Sequence, residues 1–225
     1  MNVIIFGVSG MVGQGVLREC LLDPDVKQVL TIVRNPTGQQ HTKLRELVRT
    51  DLFDYSDIEA ELTGFDACFF CLGVTSAGMT EQQYTHITHD LTLAAATMLA
   101  KLNPTMTFIY VSGSGTDGTE RGRSMWARVK GKTENDLLKL PLKAAYMFRI
   151  GFVQPLHGIV SKTKLYRIFY SVLQPILPLM QRAFPSQIGT TEQVGRAMLL
   201  VAKHGFPRPV LESKDINTLR PPFEK

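Results

Sequence analysis

The first residues of the chain contain the feature that most restricts its fold. The stretch "NVIIF" is a short apolar run that ends at a glycine, and Gly7, Gly10 and Gly13 then follow at the spacing G-x-x-G-x-x-G. The stretch "VGQGVLRECLL" carries apolar side chains at helical spacing. The N-terminal region is therefore predicted to form a strand, a glycine turn and a helix.

Each glycine of this turn has a physical role in a dinucleotide-binding loop. The first permits the tight turn, the second lets main-chain N–H groups approach a pyrophosphate, and the third lets the helix pack closely on the strand. Glycine turns are common, so a purely structural turn is the alternative. The position between a strand and a helix favours phosphate binding.

The rest of the chain alternates between strand-like and helix-like stretches. Strands are predicted at "QVLTIVR", "KLRELV", "ACFFCLG", "TFIYVSG" and "AAYMFRIG", and helices at "HITHDLTLAAATMLAKL" and "WARVKGKTENDLLKL". This alternation predicts an α/β fold, a doubly wound parallel sheet of the Rossmann type. The connection "NPTGQQHT" is too short and polar for a full crossover helix, so one crossover is expected to be abbreviated.

The pattern changes after Gly151. Residues 165–184, "LYRIFYSVLQPILPLMQRAF", are interpreted as a helix covering the core or a substrate pocket, with a membrane-surface anchor as the alternative. Thr190 and Gln193 have the spacing of a capping box before another helix. We expect a single domain, residues 1–225, in which residues 151–225 form a small C-terminal helical cap on the substrate or partner side.

Charge is distributed unevenly along the 225 residues, whose net charge is +5. The chain through Ser112 has 7 Lys+Arg against 12 Asp+Glu, and the remainder has 18 against 8, so the two parts carry −5 and +10. No long basic run or aromatic-rich nucleic-acid motif is present. An anionic small molecule is therefore a better expected ligand than nucleic acid.

The cysteines and histidines do not form an evident metal or redox motif. The start of the chain lacks a basic leader and cysteines are few, so a cytoplasmic protein without disulfides is expected. Cys68 and Cys71 lie in a predicted buried strand and should point to opposite faces. His86 and His89 are interpreted as part of a polar helix face because no third metal ligand is evident.

Arg34 ends the second predicted strand, where an acidic residue would bind the ribose 2′-hydroxyl of NAD. A guanidinium suits a 2′-phosphate and cannot accept hydrogen bonds from a diol. NADP(H) is therefore favoured over NAD(H) as the cofactor. The alternative is a solvent-exposed arginine at a strand end.

Taken in order, the segments "GVSGMVG", "TIVR", "CFFCLGVTSAG", "VSGSG", "WARVKGKTEN" and "FRIG", continuing through "GRAML", resemble a known family. The chain is similar to the atypical, epimerase-like short-chain dehydrogenases/reductases, and within them to the Tat-interacting-protein type of NADPH binder. This resemblance covers most of the chain.

The resemblance implies a set of cofactor contacts. The glycine loop would line the phosphates, Arg34 the adenosine phosphate, and Asp51 and Leu52 the adenine side. Ser114 would end the central strand together with Ser112, beside the nicotinamide. The full implied cofactor-binding set is Gly7, Ser9, Gly10, Met11, Val12, Gly13, Arg34, Asp51, Leu52, Leu72, Gly73, Ser112 and Lys130. No metal is implied.

The catalytic motif of that family is only half present in "SMWARVK". A tyrosine normally precedes the lysine by four residues, and here that position is Trp126, whose indole donates a hydrogen bond but does not titrate usefully. Lys130 can still position the cofactor, although a solvated helix lysine is the alternative. The proline that usually precedes the glycine in "FRIG" is replaced by Ile150.

Two residues are candidates to replace the missing phenol. Tyr84 follows the loop after the fourth strand, and Ser112 could orient a carbonyl or hydroxyl group; the alternatives are a helix-surface tyrosine and a strand-end serine. Ser112 and Lys130 are the expected catalytic residues.

The sequence is compatible with two main functions. The first is an oxidoreductase that acts on an unidentified small carbonyl or alcohol. The second is a non-catalytic NADPH-binding sensor or interaction module with a protein partner. Weak membrane-surface contact through residues 165–184 is a third interpretation, and a homodimer is not distinguished from a monomer.

Overall fold

The computed structural model describes residues 1–159 and 187–220, and most of its strands form one parallel sheet. Its seven strands are β1 Asn2–Phe6, β2 Gln28–Val33, β3 Leu44–Val48, β4 Ala67–Phe70, β5 Thr107–Gly113, β6 Ala144–Ile150 and β9 Val210–Glu212. They lie in the order β3-β2-β1-β4-β5-β6-β9. Two further strands, β7 Phe152–Gln154 and β8 Ile188–Thr190, pair with each other.

Helices connect these strands on both faces of the sheet. They are α1 Met11–Leu22, α2 Glu81–Thr85, α3 Leu91–Leu102, α4 Met125–Leu137, α5 Thr191–His204 and α6 Ser213–Thr218. A π-helical turn, His86–Asp90, joins α2 to α3, and a 3-10 segment spans Ser56–Leu62. The connection between β2 and β3 has no helix, which confirms the abbreviated crossover.

Two hydrophobic clusters explain why the helices lie on both faces. Along β1, Val3 and Ile5 belong to one cluster with α1 and α5, whereas Ile4 and Phe6 belong to the other with α3. Because successive strand residues point to opposite faces, a strand covered on both sides is apolar throughout. The predicted doubly wound Rossmann-type sheet is confirmed, and its strand order reverses at β1.

Cys68 and Cys71 show the same alternation. Cys68 is buried in the cluster on the α3 face, and Cys71 packs against the cluster on the α1 face. Their side chains therefore lie on opposite faces, as predicted from the strand pattern. All three cysteines are free thiols.

The described part of the C-terminal region extends the main body of the domain. Thr190 Oγ1 accepts a hydrogen bond from Gln193 N at 3.0 Å, and Gln193 Oε1 accepts one from Thr190 N at 2.9 Å, which confirms the predicted capping box of α5. α5 packs on α1, and β9 pairs with β6.

The predicted helix or membrane-surface anchor at residues 165–184 lies outside the described residues. Within residues 1–159 and 187–220, no helix has the length and apolarity needed to cross a membrane.

Candidate cofactor-binding site

The glycine loop is shaped by close backbone contacts. Gly7 has a φ of +81°, and a Cβ at this residue would lie 2.5 Å from the backbone nitrogen of Leu72. A Cβ at Gly13 would lie 2.2 Å from the Gly7 carbonyl oxygen. Both positions therefore require glycine. Gly10 N donates to the Gly7 oxygen at 2.9 Å and closes the turn.

The loop leads into a helix terminus suited to an anion. No side chain caps the N-terminus of α1, and its first turn contains no acidic residue. The first amides of a helix lack intrahelical partners and carry a partial positive charge. The loop and the helix start together provide a cradle that fits a diphosphate.

A cavity of about 520 Å³ opens above the carboxyl ends of the parallel strands. This edge of the sheet, where the strand order reverses, is the usual ligand site of open α/β folds. Its lining residues are Gly7, Val8, Ser9, Gly10, Met11, Val12, Ile32, Val33, Arg34, Leu52, Cys71, Leu72, Gly73, Val74, Thr75, Val111, Ser112, Lys130, Ile150, Gly151 and Val153.

The structure brings most of the sequence-predicted site residues together in this cavity. Those that line it are Gly7, Ser9, Gly10, Met11, Val12, Arg34, Leu52, Leu72, Gly73, Ser112 and Lys130. Two residues of the implied cofactor-binding set, Gly13 and Asp51, lie outside the lining. Gly13 packs beneath the loop against Gly7, and the Asp51 carboxylate is exposed and accepts a hydrogen bond from Phe53 N at 2.8 Å.

Two parts of the cavity differ in character. The glycine-loop end consists of residues 7–12 with Arg34, and the lysine end consists of Ser112, Lys130, Ile150 and Gly151. Arg34 and Lys130 are the charged residues in the described lining, which contains no carboxylate. The cavity is therefore biased toward anionic ligands.

Arg34 is exposed at the rim of the glycine-loop end. The ion pairs found among residues 1–159 and 187–220 do not include its guanidinium. It directly follows β2, at the carboxyl edge of the sheet.

Lys130 is partly buried at the other end of the cavity. Its Nζ donates to Tyr110 Oη at 3.4 Å and to the Val111 carbonyl oxygen at 3.5 Å, and it lies 5.2 Å from the centre of the Tyr110 ring. Burial lowers the pKa of the Lys130 ammonium from 10.5 to about 8, although Glu134 opposes this shift. The lysine is therefore a cavity residue and not a solvated helix lysine.

Ser112 is tied to a buried ion pair beside the cavity. Its Oγ donates to Glu134 Oε1 at 2.5 Å. The Arg149 guanidinium donates to the same carboxylate, with an Nη2 to Oε2 distance of 2.6 Å, and also pairs with Glu212 at 3.2 Å. These hydrogen bonds to Glu134 raise the pKa of Arg149 above its ordinary value.

The Trp126 indole lies against the loop that follows β5. A Cβ at Gly113 would be 3.7 Å from Trp126 Cζ3, and one at Gly115 would be 3.6 Å from Cη2. Trp126 is not among the cavity-lining residues. Its ring is therefore placed as a packing residue against these two glycines.

The other predicted candidates are engaged elsewhere. Tyr84 is only 2% exposed and does not line the cavity, so it is neither a helix-surface tyrosine nor a pocket residue. Ser114 Oγ lies 2.9 Å from Ser213 Oγ, joining the loop to α6. His89 contacts the carboxylates of Asp90 and Asp136, and among the described residues no group of three potential metal ligands occurs.

Several residues that line or border the cavity were not predicted from the sequence. The apolar lining at strand ends, such as Ile32 and Val111, could have been found from the rule that ligands bind beyond the carboxyl ends of parallel strands. Glu134 lies four residues after Lys130, on the same helix face, which was a readable signal. Its pairing with Arg149 needed the three-dimensional register.

Comparison with known proteins identifies the family. The model of the family described as NAD(P)H-binding matches residues 7–139. The chain belongs to this NAD(P)H-binding family. The matched range includes the glycine loop and Lys130, and the resemblance to atypical short-chain dehydrogenases is confirmed at the level of this family and fold.

Two curated relatives are 30% identical to this chain over about two thirds of their length. The mitochondrial protein Fmp52 of Emericella nidulans is 30% identical over 159 residues, which span 68% of this chain and 66% of that protein. Fmp52 of Saccharomyces cerevisiae is also 30% identical, over 73% of this chain and 69% of that protein. Because these relatives are named as mitochondrial, the prediction of a cytoplasmic location is wrong; the absence of a recognisable leader was insufficient evidence for it.

Solved structures show the same fold at low identity. The enzyme WbmF of Bordetella bronchiseptica, solved with NAD⁺, superposes with a TM-score of 0.66 at 16% identity, covering 96% of this chain and 76% of that one. A short-chain dehydrogenase/reductase of Saccharomyces cerevisiae superposes with a TM-score of 0.63 at 14% identity, covering 95% and 96%. These similarities support the fold and not a particular substrate.

Proposed function

We propose that this protein is an NADP(H)-dependent oxidoreductase that acts on a small carbonyl or alcohol. The observation that carries the proposal is one cavity with a glycine-loop cradle at one end and a desolvated lysine at the other. The cofactor would supply or accept a hydride when bound. The protein would hold its phosphates and exclude water from the lysine end.

Preference for NADP(H) is supported by the position of Arg34. An exposed guanidinium at the rim can form a two-point contact with a ribose 2′-phosphate. The lining residues that the structure describes include no carboxylate for a ribose diol. Gly7, Ser9, Gly10, Met11 and Val12 would surround the diphosphate. Leu52, Leu72 and Gly73 would border the adenosine, and Ser112 and Lys130 the nicotinamide ribose.

The experiment that tests this function combines binding with turnover. The protein is titrated with NADPH in a calorimeter and then assayed with aromatic aldehydes and aliphatic ketones while NADPH fluorescence is followed. One bound equivalent and carbonyl-dependent NADPH oxidation are expected. Binding without oxidation of NADPH by any carbonyl would contradict the oxidoreductase proposal.

A specific observation favours a second candidate, a non-catalytic NADPH-binding module with a protein partner. Trp126 packs against the loop after β5 in place of a tyrosine, so the usual acid is missing. Trp126→Tyr separates the two candidates. In an oxidoreductase that lacks only the phenol, this change increases carbonyl reduction; in a binding module it leaves the protein inactive while NADPH still binds.

The names of the relatives support a proposal for the cellular location of this protein. We infer an association with mitochondria, because the relatives that match two thirds or more of this chain carry that location in their names. Immunofluorescence of the protein in its own cells, with a mitochondrial marker, tests this inference; staining that does not overlap the marker would contradict it.

A further inference from the structure

Ser112 is held in a state that prevents it from donating a hydrogen bond to a substrate. Glu134 is 1% exposed, and its carboxyl oxygens accept three hydrogen bonds from the Arg149 guanidinium. The single hydroxyl proton of Ser112 is directed to Glu134 Oε1. Toward the cavity, Ser112 Oγ presents lone pairs only.

The aromatic hydroxyl groups nearby are also poor proton donors. Tyr84 and Tyr110 are both almost fully buried and do not line the cavity. Burial raises the pKa of each phenol above its ordinary value. Trp126 has no phenol. A reaction in this cavity therefore needs a proton from another group.

Among the described residues that line the cavity, Lys130 is the remaining side-chain proton donor at the lysine end. Its Nζ contacts a phenol oxygen and a backbone carbonyl oxygen, and none of the ion pairs in the described ranges includes it. Glu134, one helical turn later, would be its natural partner but is bound by Arg149. The ammonium thus lies at the cavity with no carboxylate in direct contact, and Glu134 stabilises its charge only through space.

We propose that Lys130 Nζ, in place of the missing phenol, transfers the proton to the substrate oxygen during carbonyl reduction. This inference rests on the oxidoreductase function proposed above. A bound reduced nicotinamide would supply the hydride to the carbonyl carbon. Lys130 Nζ gives its proton to the carbonyl oxygen as the C=O π bond breaks, and an alcohol forms. The neutral amine of Lys130 then takes a proton from water.

The surroundings of Lys130 support a transfer near neutral pH. Desolvation lowers its pKa to about 8, close to the pH at which an acid catalyst works best. The titratable groups around it are Tyr110 on β5, which its Nζ contacts, and Glu134 on α4, which is paired with Arg149 on β6. Cys71, after β4, lines the same cavity, and burial raises the pKa of its thiol.

The first test measures the proton on Lys130 without using turnover. The whole protein is acetylated briefly at a series of pH values between about 6 and 11, and the modified peptides are quantified by mass spectrometry. Lys130 should become reactive with a midpoint near pH 8. Lys132 is the internal control: hydrogen bonding to Asp136 raises its pKa, so it should react only above the ordinary value of 10.5. Equal midpoints for the two lysines would overturn the proposal.

The second test uses variants. Lys130→Arg keeps a positive charge for cofactor binding, but a guanidinium does not release its proton in this pH range. Its NADPH affinity should stay within about 5-fold of the wild type, whereas aldehyde reduction should fall by about 100-fold or more. Lys132→Arg, on the exposed side of the same helix, is the matched control and should reduce aldehydes at the wild-type rate.

The pH profile adds a readout that a structural role would not change. Wild-type kcat/KM for aldehyde reduction should decrease as the pH rises past about 8, since the proton is lost, and alcohol oxidation should show the opposite trend. Wild-type turnover and profile in Lys130→Arg would overturn the proposal while leaving the oxidoreductase function intact. A wild type that binds NADPH but reduces none of the aldehydes or ketones would overturn both.

Discussion

The two ends of the cavity are built in different ways. At the glycine-loop end, backbone atoms and one helix terminus form the site, and the close contacts of Gly7 and Gly13 allow only glycine. At the lysine end, side chains form the site, and Ser112 is hydrogen-bonded to the buried ion pair of Glu134 and Arg149. A site made of backbone tolerates few changes, whereas a site made of side chains can lose its usual chemistry and keep its fold.

Breaking the glycine-loop end should have the largest effect. Gly7→Ala places a Cβ against the backbone of the loop after β4 and forces an alanine into a positive φ. We expect NADPH affinity to fall by more than about 100-fold and stability to fall by about 1–3 kcal/mol. Calorimetry and thermal unfolding measure the two effects. Gly118→Ala, whose Cβ would meet only an ordinary contact at 3.6 Å, is the control; equal losses in both variants would contradict this explanation.

Removing the buried carboxylate should sharply destabilise the lysine end. Glu134→Ala leaves Arg149 without its buried partner, and a loss of about 3 kcal/mol in the free energy of unfolding is expected. Glu212→Ala removes the exposed partner of the same arginine and should cost less than about 1 kcal/mol. Denaturant unfolding of both variants tests the difference, and similar losses would show that the buried pair has no special role.

Arg34→Ala should affect the glycine-loop end selectively. Loss of a charge-assisted contact to the 2′-phosphate is expected to weaken NADPH by about 20-fold, or about 1.8 kcal/mol, and to leave NADH unchanged. Competitive titration with both dinucleotides measures this. The control is Arg45→Ala, since Arg45 is a strand arginine paired with Glu61 and does not line the cavity. Equal weakening of NADPH and NADH would refute a 2′-phosphate contact.

The smallest expected effect is a gain in stability at the lysine end. Because the folded-state pKa of Lys130 is about 8 and the ordinary value is 10.5, the unfolded chain binds more protons between these pH values, so stability rises with pH across this range. Lys130→Met should therefore be more stable than the wild type by about 1 kcal/mol at neutral pH, with the advantage shrinking as the pH increases. Thermal unfolding at several pH values tests this. Lys132→Met loses an ion pair and should gain nothing; a Lys130→Met variant less stable at pH 7 would contradict a desolvated ammonium.

Sequence predicted the fold and the glycine-loop end well because both follow local patterns. The strand-turn-helix at Gly7, the capping box at Thr190 and the alternating burial of Cys68 and Cys71 depend on residues close in the chain. The Ser112 to Glu134 to Arg149 network could not be predicted in this way. It joins β5, α4 and β6, and its geometry depends on how the helix packs on the sheet.

Calorimetric titration of the wild-type protein with NADPH and NADH tests the central claim most directly, namely that this cavity is an NADP(H) site. We expect one equivalent of NADPH to bind with micromolar affinity, and NADH to bind at least about tenfold more weakly. Binding of neither dinucleotide at millimolar concentration, or equal affinity for both, would contradict it.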